Sequence, residues 1–515
     1  MVFRPDELAA DAAPIIAQDP TIGTEAGTEA GTDAGHAPLW RPLFRHQGTF
    51  PPESFVEGML DLIKNPNNNS SWLFRADILH DAPVLDGAEL RPVQFESGED
   101  NVPPSSIPSF SDFQCSRYIV RRMIPRNTLR DKPLDQTCLV AHAILPPGGP
   151  GVAFLHEWTD AESRGSVSLS YDYFDESDRS VNRITRTGFH LLEVIHKHGQ
   201  GKVEGYRKRV HHDVLIPQAR VQNRYTTLKQ KYARPLIQGW AEITDPVKHV
   251  FEDISIAAFL IELWVDMYGQ QQTPFPGFVD IGCGNGLLVY ILNQEGCTGW
   301  GFDARARKSW SAYSTRVELS TGVQDSLQRL VLLPPPVSKQ GMAEVSGGED
   351  FNAELVHDGC FPKGTFIISN HADELTPWTP ILATISDCPF IMIPCCSHDL
   401  TGARFRAPPP KDKTKPDSSY ASLVLWVAEI AKDCGWEPEQ EMLRIPSTRN
   451  TALVGRKRRS DGLRHLDTEQ VVEKYGGTYG YLETVVKLAK NGAQGGLQQM
   501  ASNPAVDEHG RPTDE

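Results

Sequence analysis

The sequence of 515 residues lacks any apolar run of the ~20 residues that a membrane-spanning helix requires. A membrane partner is therefore not expected. Its nine cysteines are odd in number, scattered and without a CxxC pair, so neither a disulfide framework nor a zinc ribbon is indicated. Positive charge is also short. The 51 Lys and Arg against 66 Asp and Glu leave a net charge of -15, which argues against a uniformly basic nucleic-acid coat and leaves room for local basic faces only. Met1 to Pro20 carries Asp6, Glu7, Asp11 and Asp19 with Arg4 alone. That suits neither the basic n-region of a signal peptide nor an Arg-rich transit peptide, and a cytoplasmic location is expected.

What is present centres on Phe278-Val279-Asp280-Ile281-Gly282-Cys283-Gly284-Asn285-Gly286, which runs into the apolar stretch Leu287 to Leu292. An apolar strand that ends in an acid and offers three alternate glycines before a helix lets a small ligand approach bare backbone. The dinucleotide fingerprint reads G-x-G-x-x-G. Here Asp280, Gly282, Gly284 and Gly286 give D-x-G-x-G-x-G, a spacing that resembles motif I of class I S-adenosylmethionine (SAM) methyltransferases. A second strand, Gly299 to Phe302, ends in Asp303, close to the offset of roughly 20 residues at which such folds place an acid on ribose hydroxyls. SAM is the expected cofactor, held by Asp280, Gly282, Gly284, Gly286 and Asp303. The expected fold is α/β, a Rossmann-like doubly wound sheet preceded by a strand-rich domain.

The chain divides by composition. Residues 1–39 include the repeat TEAGTEAGTDAG, with almost nothing to bury, and read as a disordered acidic tail. Residues 40–200 hold short β-branched or alternating pieces, among them Cys115 to Ile124, Val152 to Trp158, Ser166 to Phe174 and Thr187 to His196, and read as a strand-rich domain. Residues 201–240 form a basic connector in which Arg207, Lys208, Arg209, Arg224, Lys229 and Lys231 interleave with Tyr206, Tyr225 and Tyr232. Cations and aromatics so mixed suit phosphate tracking and base stacking, and equally suit a solvated helix face. Residues 241–490 read as the methyltransferase domain and 491–515 as a disordered polar tail. Within the domain, Asp245 and Pro246 open a helix, and Lys248, His249 and Glu252 share one of its sides. A third strand is expected between Val331 and Asp358, a fourth at Thr365 to Ser369, and a fifth at Pro389 to Ile393. A closing hairpin is expected at Leu443 to Asn450 and Thr451 to Gly455.

The fourth strand empties into Asn370-His371-Ala372-Asp373-Glu374. Enzymes that methylate exocyclic amines commonly carry Asn/Asp-Pro-Pro-aromatic there, so an amine acceptor is disfavoured. Asp373, Glu374 and His371 suit an alcohol whose proton must be removed, and any of the three could be the base. The competing reading makes Asp373 and Glu374 acids at a helix start. Cys395 and Cys396 offer covalent attack on a pyrimidine, as in RNA C5-pyrimidine methyltransferases, although free Cys is most often a small buried hydrophobe. A zinc site of Cys395, Cys396 and His398 fits tetrahedral ligand spacing poorly, and no metal is expected.

The segments KHVFEDISIAAFLIELW, FVDIGCGNGLLVYIL, GFDARARKSW, SNHADELTPW, IPCCSHDLTGARF and RIPSTRN together resemble the eukaryotic tRNA (uracil-2'-O-)-methyltransferase family. The resemblance spans about residues 200 to 490. It implies SAM as cofactor and tRNA, not DNA, as substrate, with methylation of a uridine ribose 2'-hydroxyl, at position 44 of serine tRNA in fungi. A noncatalytic tRNA-binding protein and a dinucleotide-dependent oxidoreductase stand as alternatives. The intact glycine turn counts against the first, and its spacing against the second.

Overall fold

The computed structural model describes residues 3–9, 41–70, 72–83, 115–127, 130–141, 143–145, 151–172, 181–206, 212–269, 274–337, 353–410, 418–459 and 467–485. The acidic repeat, Arg207, Lys208, Arg209 and the C-terminal tail lie outside the described residues. The chain forms two compact units, Met1–Arg209 and Val210–Glu515.

The first unit is an antiparallel sheet built from β1 (Asp6–Glu7), β2 (Arg41–Gly48), β3 (Leu73–Pro83), β4 (Cys115–Pro125), β5 (Leu134–Ala141), β6 (Ala143–Leu145), β7 (Gly151–Thr159) and β8 (Arg164–Asp172). Their spatial order is β1-β2-β8-β7-β6-β5-β4-β3. Two helices, α1 (Pro52–Lys64) and α2 (Asn182–Val203), bury their apolar faces in a core that includes Phe50, Phe55, Ile119, Leu169, Leu192 and Ile195. The segment Thr187 to His196, expected as a strand, lies inside α2. The buried residues Gly188, Leu192, Ile195 and Gly199 recur at steps of four, three and four, which is the period of a helix and not of a strand.

In the second unit, α3 (Gln218–Gln238) packs on α4 (Pro246–Tyr268). Asp245 caps α4, its Oδ1 accepting from the backbone N–H of Val247 at 2.9 Å. The sheet holds β9 (Phe278–Ile281), β10 (Gly299–Asp303), β13 (Leu327–Arg329), β16 (Phe366–Asn370), β17 (Phe390–Ile393), β18 (Glu439–Met442) and β19 (Thr451–Gly455). The pairs β11 (Arg316–Leu319) with β12 (Gly322–Asp325), and β14 (Val331–Leu332) with β15 (Val356–His357), stand outside it. Helix α5 (Leu287–Gln294) follows the glycine turn.

Sheet order is β13-β10-β9-β16-β17-β19-β18, parallel from β13 to β17, with β19 antiparallel to both β17 and β18. In chain order this reads 3-2-1-4-5-7-6. Two hydrophobic clusters cover its faces, one gathered on Phe302, Trp378, Phe390 and Leu453, the other on Leu260, Trp264, Phe278 and Ile391. Parallel strands buried on both faces read as continuous apolar runs, which is why β9, β16 and β17 are visible in the sequence.

Two expectations are corrected here. The third strand is Leu327–Arg329, upstream of the expected window; it is a short edge strand whose Gln328 and Arg329 break any apolar run. The closing hairpin is Glu439–Met442 with Thr451–Gly455, and Leu443 to Asn450 is the turn between them, closed by Leu443 N–H donating to Asn450 O at 2.8 Å.

Candidate active site

Strand β9 leads into three left-handed glycines, Gly282 (φ 73°), Gly284 (φ 53°) and Gly286 (φ 76°). A Cβ on Gly286 would come within 2.5 Å of Leu327 Cδ1, so this glycine lets α5 close on the third strand. A Cβ on Gly284 would meet nothing within 4 Å; the space above it is open. Trp310 Nε1 donates to Gly284 O at 2.9 Å and Ser309 Oγ donates to Asn285 O at 2.8 Å, so the turn is pinned through its own carbonyls. Asp303, at the end of β10, accepts from Gly284 N at 3.1 Å through Oδ2 and from Arg305 N at 3.0 Å through Oδ1. The residues read from sequence as a cofactor cradle are thereby brought together.

Asp280 is only 2% exposed, and its Oδ1 has no partner among the described residues. Burial pushes its carboxyl well above the usual carboxylate range, with the charges of Asp253 and Asp303 adding to the shift. Asp253, buried on α4, is raised to about 8 by burial and then by its neighbour Glu252. Both carboxyls are shifted by burial and by neighbouring acids, with no cation among the described residues to offset them. Adjacent acids inside an otherwise apolar helix were the sequence signal for Asp253, and it was missed because periodicity weighs only the apolar positions.

At the end of β16, His371 and Asp373 both take positive φ, 52° and 44°. Such backbone costs on the order of 1–3 kcal/mol per non-glycine residue and persists only where the surroundings enforce it. The His371 ring nitrogen Nε2 lies 3.1 Å from Glu252 Oε1, and Glu252 is buried at 6% exposure. A carboxylate can only accept, so Nε2 carries a proton, and in the neutral ring the lone pair then falls on Nδ1. Nδ1 is buried without a partner among the described residues, as is Asn370 Oδ1 beside it. Glu252, one of three polar residues on a side of α4, thus turns inward to this segment and not to the helix surface.

Asp373 Oδ1 accepts from the Cys395 thiol at 2.9 Å. Burial first, and then Asp373, push both the Cys395 and Cys396 thiols up, so neither is a thiolate at neutral pH. The donor atoms of Asp373, Cys395 and Cys396 lie within 4.8 Å of one another. Glu374 lies on the side of Gly402 and Tyr481.

Of the basic connector, residues 201–206 and 212–240 are among the described residues. Arg224 Nε donates to Glu262 Oε1 at 2.9 Å, beside Arg220, which also pairs with Glu262 and with Asp266. Lys231 Nζ meets Glu295 Oε1 at 2.7 Å, and Lys229 lies over the Phe251 ring at 5.0 Å. Arg224 and Lys231, candidates for phosphate contact, are matched by acids of their own unit: Arg224 by Glu262 on α4, and Lys231 by Glu295 just past α5.

A 3-2-1-4-5-7-6 sheet with an antiparallel seventh strand, a D-x-G-x-G-x-G turn after its first strand and an acid after its second defines a class I SAM-dependent methyltransferase. A family model described as "Predicted AdoMet-dependent methyltransferase" matches residues 215–327. Another, "TRM44-like, N-terminal bet v1-like domain", matches residues 24–149 and 147–209. A protein of Neurospora crassa named tRNA (uracil-O(2)-)-methyltransferase is 60% identical, over 95% of this chain and 98% of its own length. Proteins of the same name from Schizosaccharomyces pombe (38% identical, 87% and 92% covered) and Saccharomyces cerevisiae (34%, 88% and 93%) are also similar. The chain belongs to the tRNA (uracil-O(2)-)-methyltransferase family.

The residues present fit SAM. The open space at Gly284 is where a side chain would intrude, Asp303 retains acceptor capacity for ribose hydroxyls, and the unmatched acids Asp280 and Asp253 suit a cofactor carrying positive charge.

Proposed function

We propose that this protein transfers the methyl group of SAM to the ribose 2'-hydroxyl of a uridine in tRNA, and that the uridine is position 44 of serine tRNA. The position and the tRNA follow from the family resemblance. The observation that carries oxygen as the acceptor is the Glu252–His371 pair at the end of β16, where an amine methyltransferase would present prolines and an aromatic ring.

Bound SAM supplies an electrophilic methyl on a sulfonium. The protein must align the acceptor and remove its proton, and alignment can be worth an effective molarity as large as ~10⁵–10⁸ M. His371 takes the hydroxyl proton at Nδ1, while Glu252 accepts from Nε2, fixes the tautomer and stabilises the imidazolium that forms. Asp373, tied to Cys395, is a positioning residue for this segment. Covalent attack by Cys395 or Cys396 is disfavoured because both thiols are held protonated.

The test is to incubate the protein with methyl-labelled SAM and tRNA lacking the modification, then locate the label by nucleoside mass spectrometry. Label on the uridine ribose is expected; label on the uracil ring would discard the reading. His371→Asn should lower kcat by ~10²–10⁴-fold with little change in SAM affinity. Glu252→Gln should lower kcat with little change in SAM affinity, and Glu252→Asp should recover part of the loss. Unchanged kcat in Glu252→Gln would leave the pair a structural contact.

A further inference from the structure

The first unit contains a cavity of about 950 Å³ between α1, α2 and the sheet. Part of its wall is apolar, with Met59, Met123, Val152 and Phe154 on it, and the rest is polar, with Gln136, Asn182 and Thr187. Its charge is one-sided. In a chain with a net charge of -15, the described residues that line it include Arg121, Arg183, Arg186 and His190 and no Asp or Glu.

Arg121 sits deepest. Its guanidinium donates to Gln136 Oε1 at 2.9 and 2.5 Å and to the carbonyls of Leu62 and Ile63 at the C-terminal end of α1. Those partners are dipoles, so its hydrogen bonds are met but its net charge is not. Burial lowers its pKa, the direction expected of a cation that lacks a carboxylate. Arg183 and Arg186, on the first turns of α2, also have no carboxylate partner among the described residues. Trp72 lines the same cavity and is 50% exposed, with Arg130 at 4.9 Å and Arg183 at 5.8 Å from its ring. An exposed indole flanked by guanidinium groups, above a partly apolar wall, offers a stacking face for a base and donors for phosphate.

We propose that this cavity is a nucleotide-binding site that receives an unpaired nucleotide of the tRNA substrate. The base stacks on Trp72 and meets the apolar part of the wall, and its flanking phosphates meet Arg183 and Arg186. The proposal rests on tRNA being the substrate. It is favoured because Arg220, Arg224 and Lys231 of the second unit are matched by Glu262, Asp266 and Glu295, whereas Arg183 and Arg186 meet no carboxylate among the described residues.

The test uses the full-length protein and measures tRNA affinity across a salt series, with SAM affinity as the check on folding. Arg121 is left intact because it caps α1. Trp72→Ala should weaken tRNA binding by about 5- to 150-fold at unchanged salt slope. Arg183→Ala combined with Arg186→Ala should reduce the slope of log K against log salt by about 1.4–1.8. Retaining the charges with Lys at both positions should largely restore the slope. Tenfold or weaker binding of a free nucleotide monophosphate, displaced by tRNA, is the expected competition result. Unchanged affinity and slope in both variants would overturn the proposal, as would a free nucleotide that binds the cavity and is not displaced by tRNA. Because binding is read without turnover, tRNA held through Trp72 but not methylated on a uridine ribose would sink the proposed activity and leave this site standing.

Discussion

Gly284 and Gly286 share a left-handed backbone and differ in what surrounds them, so the same substitution at each should separate binding from stability. Ala at Gly286 would place its Cβ 2.5 Å from Leu327, and overpacking of this kind costs about 1–3 kcal/mol beyond the ~1–2 kcal/mol of left-handed strain. Ala at Gly284 meets no protein atom and should carry only the backbone strain, but its methyl intrudes where the cofactor approaches. Gly286→Ala is therefore expected to lower the Tm markedly. Gly284→Ala should weaken SAM binding by about 5- to 150-fold at nearly normal Tm. Calorimetry and thermal melts on both variants check this, and wild-type SAM affinity in Gly284→Ala would remove that glycine from the cradle. The alternation of glycines was plain in the sequence, but the division of labour among them was not, because it depends on Leu327, a residue 41 positions beyond Gly286 in the chain.

At the scale of the element, α4 is the helix that a hydrophobic pattern describes incompletely. Its apolar residues bury it against β9 and β16, where Trp264 packs on Phe278 and Phe366. That packing also buries Glu252 and Asp253 beside the cofactor turn. The Asp253 carboxyl, raised from its ordinary 3.8 to about 8, is protonated in the folded protein over a range where the unfolded chain has already lost the proton. Its contribution is fully present below about pH 4 and is lost as pH rises toward 8. Stability of the cofactor-free protein should fall across pH 5 to 8, and Asp253→Asn, which cannot ionise, should flatten that decline. Identical slopes in melts of the two proteins would discard Asp253 as its source. SAM, being cationic, should bind more tightly as these acids ionise, and S-adenosylhomocysteine, which lacks the sulfonium, should show a flatter dependence.

Across the whole molecule, charge is distributed against the simple reading of the sequence. Arg220 and Arg224 both reach Glu262, which is 8% exposed, so these cations serve the fold of the second unit. Replacing both with Ala should lower stability by about 1–3 kcal/mol through the unpaired Glu262 and leave the salt dependence of tRNA binding unchanged. A flattened salt slope with normal Tm would instead return the connector to the RNA surface.

The sequence by itself determined the methyltransferase class, the cofactor turn and the central strands, because a doubly buried parallel sheet needs continuous apolar runs and a close backbone approach needs glycine at fixed spacing. It determined the family as well, through motifs that are local in the chain. Only the tertiary structure decided which polar residues meet. The pairing of His371 with Glu252 spans 119 residues, the capture of Asp373 by Cys395 spans 22, and the neutralisation of Arg224 by Glu262 spans 38. It also decided that Thr187 to His196 is helical and that a short, polar edge strand completes the sheet. Such contacts arise from helix packing and sheet order, which a one-dimensional pattern of apolar residues constrains only for the core and not for the charges set around it.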